Sequence, residues 1–488
     1  MLAEISPLSG SKNGGHVPQG SRNEYLWSVF LGILAGGLVL TLRGDSPELA
    51  FVFFLGIPLL FLVLRSLPDI TSRIRILAGK LQWWHFLWLI IFLSGCVFRI
   101  RSDENIESNP IDYWALYRLG LVTLAFLVLT IRLANKKTSW IRSLFVGVIG
   151  LLALCALLNL ASTLWSVYPM WTLYKSIEYL VDVALIAAII DAVKNMSQIK
   201  TLFDWTWILT GLLMLSTLIG ILVWPAQAIT RGIGLIGIQI KGVVPAISAN
   251  SVGQIAAILG IVAFVRLLFP TTIRRLYLLV FVMALAFLLL SQSRSPLVGF
   301  LSGLVIVIFM KKRKRIAIFL IAIIAIVIFL TGFEKIFVEF FKRGQSREQF
   351  ASLTGRYDWW VYGYGLFKEQ PLIGYGAYAA GRFMILSPLG LGTTHSIHSD
   401  YAETAVGTGL VGLLFLIFVL IRVWIILVRY RVRLKNRILL HRMHIEVIGI
   451  LSVISVRSFF STELIWHPPL TFLLVLGYTE YLRRSSIR

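Results

Sequence analysis

Cysteine and acidic residues are both scarce in this chain of 488 residues. The two cysteines, Cys96 and Cys155, lie inside apolar runs, so the sequence offers no disulfide framework and does not reveal a redox compartment. Charged residues make up 14% of the chain, whereas hydrophobic residues make up 58% and the mean hydropathy is +0.83. This balance excludes an ordinary soluble domain and predicts a polytopic membrane protein.

The motifs of several common enzyme classes are missing. The chain contains no GxxxxGK[ST] loop for nucleotide phosphates, no GxSxG nucleophile turn and no HExxH zinc motif. Lysine and arginine outnumber aspartate and glutamate by 46 to 23. In a membrane protein such an excess belongs to the cytoplasmic loops, so we do not expect nucleic acid as a partner.

Apolar runs of membrane-spanning length recur along the chain. Runs of about 17–25 apolar residues predict transmembrane helices, and we count about fourteen such runs, a few of them short. The first eleven fall within residues 26–332 and the last three within residues 402–482. We therefore expect an all-α polytopic membrane protein of roughly 12–14 spans with a large extracytoplasmic loop at residues 333–401. Residues 1–25 and 483–488 are predicted cytoplasmic tails, the first of them disordered.

Basic clusters determine the predicted orientation. Short loops rich in Lys and Arg remain in the cytoplasm, and the strongest clusters are Lys311–Arg315 and the group between Arg429 and Arg442. Placing both clusters inside puts both termini in the cytoplasm and the long loop outside. The polar groups of that loop are then expected to face away from the cytosol.

Several arginines fall on the predicted outer side, although basic residues are usually enriched in cytoplasmic loops. Arg231 lies in the loop Pro225–Asn250, Arg294 follows the ninth span, and Arg356 and Arg382 lie in the long loop. Because the planar guanidinium binds two phosphate oxygens and keeps its charge, these residues indicate a lipid-linked phosphate or diphosphate ligand. Two alternatives stay open. Arg294 could instead be a snorkelling anchor at the interface, and Arg356 a surface neighbour of an interfacial aromatic belt.

His398 is the strongest candidate for a general base. It lies in THSIHSDYAET, just before the twelfth span, and imidazole can take a proton from a sugar hydroxyl near neutral pH. A helix that begins near His398 would place Tyr401 on the same face. A hydrogen-bonded interfacial histidine is the alternative. His395, Asp400 and Glu403 lie nearby, but no strong metal-ligand spacing is present, so we predict no metal. The two carboxylates would orient His398 or bind sugar hydroxyls.

Six short stretches occur in order over roughly Trp165–Leu414. They are LWSVYP after the fifth span, RGIGLIG with Asn250 downstream, SQSR after the ninth span, TGRYDWW, PLIGYG and HSDYAETAVGTGLVGLL. Together with a large outer loop late in the chain, these stretches make the sequence resemble the O-antigen ligase and polymerase superfamily of bacterial membrane glycosyltransferases.

The resemblance implies an inverting glycosyl transfer of the GT-C type, without metal or cofactor, from undecaprenyl diphosphate to a sugar hydroxyl at the periplasmic face of the inner membrane. It implies that Arg294 and Arg356 hold the diphosphate and that His398 activates the acceptor hydroxyl. The remaining residues predicted to bind substrate are Arg231, Arg382, Tyr401, Asn250, His395 and Glu403. Two positions depart from the family pattern, because Ser399 replaces a frequent Asn and Ala249 a frequent Pro.

The partners implied are an undecaprenyl-diphosphate-linked oligosaccharide donor, a glycan or lipid A-core acceptor, the lipid bilayer and a polysaccharide chain-length regulator. A polymerase of O-antigen, capsule or exopolysaccharide is favoured over a ligase acting on lipid A core or protein, although no motif separates the two.

A transporter or flippase for lipid-linked sugars would need charged groups at the bilayer midplane, for which Glu178 and Asp182 are the candidates. A non-catalytic scaffold would leave the outer Arg and His residues unexplained.

Overall fold

The computed structural model describes residues 57–96, 98, 113–135, 139–233, 237–311, 356–391, 396–434, 437–462, 464–466 and 469–485. Several predictions lie outside these residues: the tail at residues 1–25, the first span, the eleventh span near residues 316–331, the first part of the long loop, and His395.

Two compact units divide the chain, Met1–Arg65 and Ser66–Arg488, and every described element after the first helix belongs to the second unit. The described helices are α1 (Ile57–Ala78), α2 (Trp83–Ser94), α3 (Tyr113–Ala134), α4 (Ser139–Ser143), α5 (Gly147–Ala161), α6 (Pro169–Ala192), α7 (Met196–Val223), α8 (Pro225–Ala228), α9 (Ala249–Leu267), α10 (Arg274–Leu290), α11 (Arg294–Met310), α12 (Arg356–Glu369), α13 (Asp400–Leu434), α14 (Ile438–Arg457) and α15 (Leu470–Ser485). Short 3₁₀ turns at Ser162–Trp165 and Ser387–Leu389 and a π-helical turn at Ala380–Leu386 complete the helical structure in this part of the chain.

Long apolar helices dominate the described part of the chain. Within it, six segments are long and apolar enough to cross a membrane: Leu116–Ala134, Gly147–Trp165, Met196–Val223, Ala249–Leu267, Asp400–Leu434 and Ile438–Arg457. The helices Trp83–Ser94 and Arg294–Met310 are apolar but shorter. The protein is therefore an all-α membrane protein, as its composition predicted.

A small β-hairpin interrupts the helices between α8 and α9. Strand β1 (Ile229–Ile233) pairs antiparallel with β2 (Gly237–Ile240). The sequence predicted only an irregular outer loop here. Because an isolated two-stranded hairpin is marginal in stability, the hydrogen bond from Gln292, in the turn before α11, to the carbonyl oxygen of Ile233 helps to stabilise it.

Close packing of α11 on α14 determines the position of their ends. A Cβ atom added to Gly299 would lie 3.1 Å from the carbonyl oxygen of Val453, and one added to Gly303 would lie 3.1 Å from that of Gly449. Residue numbers rise along α11 while they fall along α14, so the two helices are antiparallel. The first residue of α11 and the last residue of α14 therefore lie at the same end of the pair.

Helix α13 is interrupted rather than continuous. Gly409 has φ 65° and ψ −160°, which ends the regular hydrogen bonding at that point. The PLIGYG stretch satisfies the backbone groups that the break leaves, since Gly376 N–H donates to Gly407 O at 2.8 Å and Leu410 N–H donates to Pro371 O at 2.7 Å. Unsatisfied backbone groups are costly in an apolar medium, so this stretch and α13 stabilise each other.

Candidate active site

Three arginines from three different helices converge at one end of the α11–α14 pair. Arg294 is the first residue of α11, Arg457 is the last of α14, and Arg356 is the first of α12. Arg356 Nη1 donates to the carbonyl oxygen of Phe460 at 3.1 Å. Burial, together with the positive charges of Arg294 and Arg457, lowers the pKa of Arg356 to about 10. Guanidinium groups that gather in this way favour the binding of an anion between them.

Arg457 was not among the residues singled out from the sequence. Its side chain is only 1% exposed, and Nη2 donates to Ser461 Oγ at 3.4 Å. The missed signal was its position at the outer end of the predicted thirteenth span, where it opposes the inside bias of basic residues as Arg294 does. It was overlooked because it lies within an apolar run.

The SQSR turn that carries Arg294 is held by the hairpin and by α9. Gln292 is fully buried with φ 47°, and its Nε2 donates to the carbonyl oxygen of Ile233 at 2.6 Å. Ser293 Oγ donates to Asn250 Oδ1 at 2.6 Å. Asn250, predicted to bind substrate, thus contacts the residue before Arg294 and can influence the position of Arg294 through this turn.

His398 lies in a strained turn beside α12. Its φ of 56° is in the left-handed region, where residues other than glycine are uncommon. The imidazole stacks on the indole of Trp359, with 6.1 Å between ring centroids. Trp359 follows Arg356 by three residues, so the two share a face of α12 and the imidazole lies near the first turn of that helix.

Hydrogen bonds on both sides of His398 hold this turn. Trp360 Nε1 donates to Ile397 O at 2.8 Å, and Asp400 N–H donates to Ser458 O at 2.9 Å. Ser458 Oγ also donates to the hydroxyl of Tyr401 at 3.2 Å. Helix α13 begins only at Asp400, so His398 lies outside it and does not share a helical face with Tyr401. Both residues nevertheless lie next to the end of α14.

Glu403 is buried beneath the same turn. It is 2% exposed, and its Oε2 accepts a hydrogen bond of 3.0 Å from Ile397 N–H. A Cβ atom added to Gly381 would lie 2.5 Å from Glu403 Oε1, so the glycine lets the backbone of the π-helical turn approach the carboxylate closely. Of the two roles considered from the sequence, this geometry favours the orientation of His398 over direct contact with sugar.

The other predicted residues lie in different surroundings. Arg231 is exposed on β1, opposite Ile238. Arg382 is fully buried in the π-helical turn, and its guanidinium lies 4.6 Å from the ring centroid of Trp171. His395 is outside the described residues.

The cluster formed by Arg294, Arg356, Arg457 and His398 combines three cations with one imidazole. Guanidinium groups can hold the oxygens of a phosphate or diphosphate, and an imidazole beside the first turn of α12 can accept a proton from a hydroxyl. In the ranges that the structure describes, no group of three or more His, Cys, Asp or Glu is arranged to hold a metal ion.

Comparison with known proteins identifies the region that carries this cluster. No curated protein matches the chain. Residues 278–417 match the Wzy_C family model, described as O-Antigen ligase. The matched region includes Arg294, Arg356, Arg382 and His398, whereas Asn250 and Arg457 lie outside it. This match confirms the resemblance to the O-antigen ligase and polymerase superfamily that was drawn from the sequence motifs, and it supports glycosyl transfer as the general activity.

Proposed function

We propose that this protein transfers a glycan from undecaprenyl diphosphate to a sugar hydroxyl at the periplasmic face of the bacterial inner membrane, by an inverting reaction of the GT-C type without metal. The observation that carries the proposal is the convergence of Arg294, Arg356 and Arg457 beside the turn of His398. The cations match a diphosphate, and the imidazole matches the base that such a transfer needs.

The arginines would act on the leaving group. When the bond between the anomeric carbon and the diphosphate oxygen breaks, negative charge grows on the lipid diphosphate. Three preorganised guanidinium groups at that position stabilise the developing charge more than they stabilise the ground state, and partial burial strengthens the effect. Arg457, at 1% exposure, is the most shielded from water of the three in this role.

His398 would act on the acceptor. Its imidazole takes the proton from the attacking hydroxyl while that oxygen forms the new bond to the anomeric carbon, on the side opposite the leaving diphosphate. The configuration at that carbon is inverted, and the proton remains on the imidazole until it is released to solvent. Trp359 and Glu403 hold the imidazole through ring stacking and through the backbone of Ile397.

The arrangement in the membrane belongs to the same proposal. We infer about fourteen spans, both termini in the cytoplasm, and the residues 333–401 on the periplasmic side. This orientation gives the arginines access to a donor presented at the outer leaflet, where no ATP is present and the lipid diphosphate carries the driving force.

We favour polymerisation of O-antigen, capsule or exopolysaccharide repeat units. Transfer to lipid A core or protein is the second candidate, and the description of the matching family as O-Antigen ligase favours it. The surface glycan of a deletion strain separates the two. Single repeat units indicate that the missing enzyme is a polymerase, whereas long chains left on undecaprenyl diphosphate indicate a ligase.

The catalytic assignment is tested by His398→Ala and Arg356→Gln in that deletion strain, with His441→Ala as the control. His441 belongs to the first turn of α14, about 24 Å along the helix from Arg457. We expect His398→Ala and Arg356→Gln to abolish the product while the proteins still insert, and His441→Ala to restore it. A normal amount and length of glycan with either site variant would contradict the proposal.

A further inference from the structure

A second cluster of aromatic and basic side chains lies next to the transfer site. Trp171 is its centre: the guanidinium of Arg382 lies 4.6 Å from its ring centroid, and Lys175 Nζ lies 5.4 Å from it. Phe383 contacts Trp171 edge-on at 6.1 Å between centroids, and Trp466 lies 6.4 Å away. We refer to these five residues as the Trp171 cluster.

Cations and rings in the Trp171 cluster differ in their access to solvent. Arg382 is 0% and Lys175 3% exposed, whereas all three aromatic side chains are partly exposed. Lys175 Nζ is bound to Glu178 Oε2 at 2.8 Å, which fixes it behind the rings. Cation–π contacts with the two buried cations hold the rings in place, so the partly exposed rings form a rigid surface.

Two contacts with carboxylates of α13 connect the Trp171 cluster to the turn of His398. Trp466 directly follows Ile465, whose N–H donates to Asp400 Oδ1 at 3.3 Å, two residues after the histidine. Arg382 directly follows Gly381, which lies against the carboxylate of Glu403. A chain of sugars with one residue at His398 can therefore reach the Trp171 cluster with a neighbouring residue.

We propose that the Trp171 cluster is a subsite for a hexose ring of the glycan, a proposal that rests on the proposed glycosyl transfer. A pyranose ring has an apolar face of C–H groups and an edge of hydroxyls. The face can stack on the indole of Trp171, and the ring of Phe383, which meets that indole edge-on, borders the stacked sugar. The competing explanation is that the rings only anchor the protein at the membrane interface. Anchoring alone would not require the buried cations Arg382 and Lys175 against the rings.

The probe for this subsite is the oligosaccharide that accumulates on lipid in the deletion strain, released by mild acid so that it lacks the diphosphate. Its binding to the purified full-length protein in detergent is measured by saturation-transfer NMR and titration. We expect Trp171→Ala to weaken binding roughly tenfold and Trp171→Phe, which keeps a stacking face, to weaken it by no more than about threefold. Trp224→Ala is the matched control, because Trp224 is 42% exposed at the end of α7, outside the Trp171 cluster.

Steady-state kinetics then show which glycan uses the subsite. A raised KM for the acceptor in Trp171→Ala assigns it to the acceptor, and a raised KM for the lipid-linked donor assigns it to the donor. Unchanged affinity and unchanged KM values in Trp171→Ala would overturn the subsite, as would an equal loss of binding in Trp224→Ala. If instead Trp171→Ala loses the oligosaccharide while His398→Ala still makes normal product, the subsite stands and the proposed transfer mechanism fails.

Discussion

Glu403 and Ile397 are joined by a hydrogen bond of 3.0 Å between a buried carboxylate oxygen and a backbone N–H. Ile397 directly precedes His398, whose backbone is in the left-handed region with φ 56°. A side chain three residues into α13 thus holds the strained turn on which the candidate base is carried. Glu403 therefore acts on the position of the imidazole through the backbone of Ile397.

The first prediction concerns Glu403. Glu403→Ala leaves the N–H of Ile397 without its acceptor and opens space beneath the turn, so His398 loses its position. We expect kcat to fall at least roughly tenfold, about 1.4 kcal/mol in the barrier, with little change in KM. Glu403→Gln keeps an acceptor oxygen and should recover most of the rate. Equal losses of kcat in the Ala and Gln variants would show that the carboxylate has another role.

The second prediction concerns Arg457, which the sequence alone did not single out. Arg457→Gln removes one of three converging charges, so the affinity for undecaprenyl diphosphate should fall by about 2 kcal/mol, roughly 30-fold. Arg431→Gln, at an exposed position near the C-terminal end of α13, is the control and should bind normally. Donor affinity is measured by titration in detergent. Normal affinity in Arg457→Gln would remove this residue from the anion site.

The third prediction separates binding from stability at Arg356. Its folded-state pKa of about 10 lies below the ordinary value, so the unfolded chain holds this proton more tightly. Burial of the charge and its repulsion by Arg294 and Arg457 therefore cost stability, in full below pH 10. Stability should therefore rise as the pH increases above 10. In Arg356→Met, removal of the buried, repelled charge offsets the lost hydrogen bond to Phe460, and the free energy of unfolding should change by less than about 1 kcal/mol.

Donor binding should respond in the opposite direction. It should weaken as the pH rises through 10 in the wild-type protein, since Arg356 then loses its charge, and it should already be at least roughly tenfold weaker in Arg356→Met at neutral pH. Thermal unfolding and donor titration are measured on the same preparations. A large loss of stability together with intact donor binding would mean that Arg356 is structural.

The fourth prediction concerns the break in α13. Gly409→Ala places a Cβ atom 2.3 Å from the backbone of Leu372 at a φ of 65°, so the PLIGYG stretch must move away. We expect a loss of at least about 2 kcal/mol in the free energy of unfolding. Gly365→Ala is the matched control, because nothing lies within 4 Å of its added Cβ in α12. That variant should be neutral or more stable by up to about 1 kcal/mol. Equal thermal stability of the two variants would contradict the packing described here.

The fifth prediction concerns a buried ion network between α7, α9 and α14. Arg266 Nε lies 2.9 Å from Glu446 Oε1, and Arg266 Nη1 lies 3.4 Å from Asp204 Oδ1. Glu446→Ala leaves a buried guanidinium undercompensated and should destabilise the protein by about 3–5 kcal/mol. Glu369→Ala, at an exposed carboxylate, should cost less than about 1 kcal/mol. Since this network is remote from His398, the folded fraction of Glu446→Ala should retain a normal kcat, and a specific loss of kcat would point to a functional role instead.

The membrane class could be predicted from the sequence because hydropathy and loop charge add up locally along the chain. The same local logic selected Arg294, Arg356 and His398, since each lies in a short polar stretch between apolar runs. It failed at Arg457, which lies within an apolar run. It also did not predict the break at Gly409, because a run of apolar residues has the same composition whether or not the helix is continuous.

By itself, the sequence determined that this is a membrane protein with arginines and a histidine in its predicted outer segments, and its ordered motifs determined the family resemblance. Only the tertiary structure decided which of those residues meet. Antiparallel packing of α11 on α14 brings Arg294 and Arg457 to one end, whereas Arg382 packs against Trp171. The reason is physical: hydropathy and charge bias act on each segment separately, but the meeting of side chains from distant segments depends on close helix packing and on backbone hydrogen bonds between them.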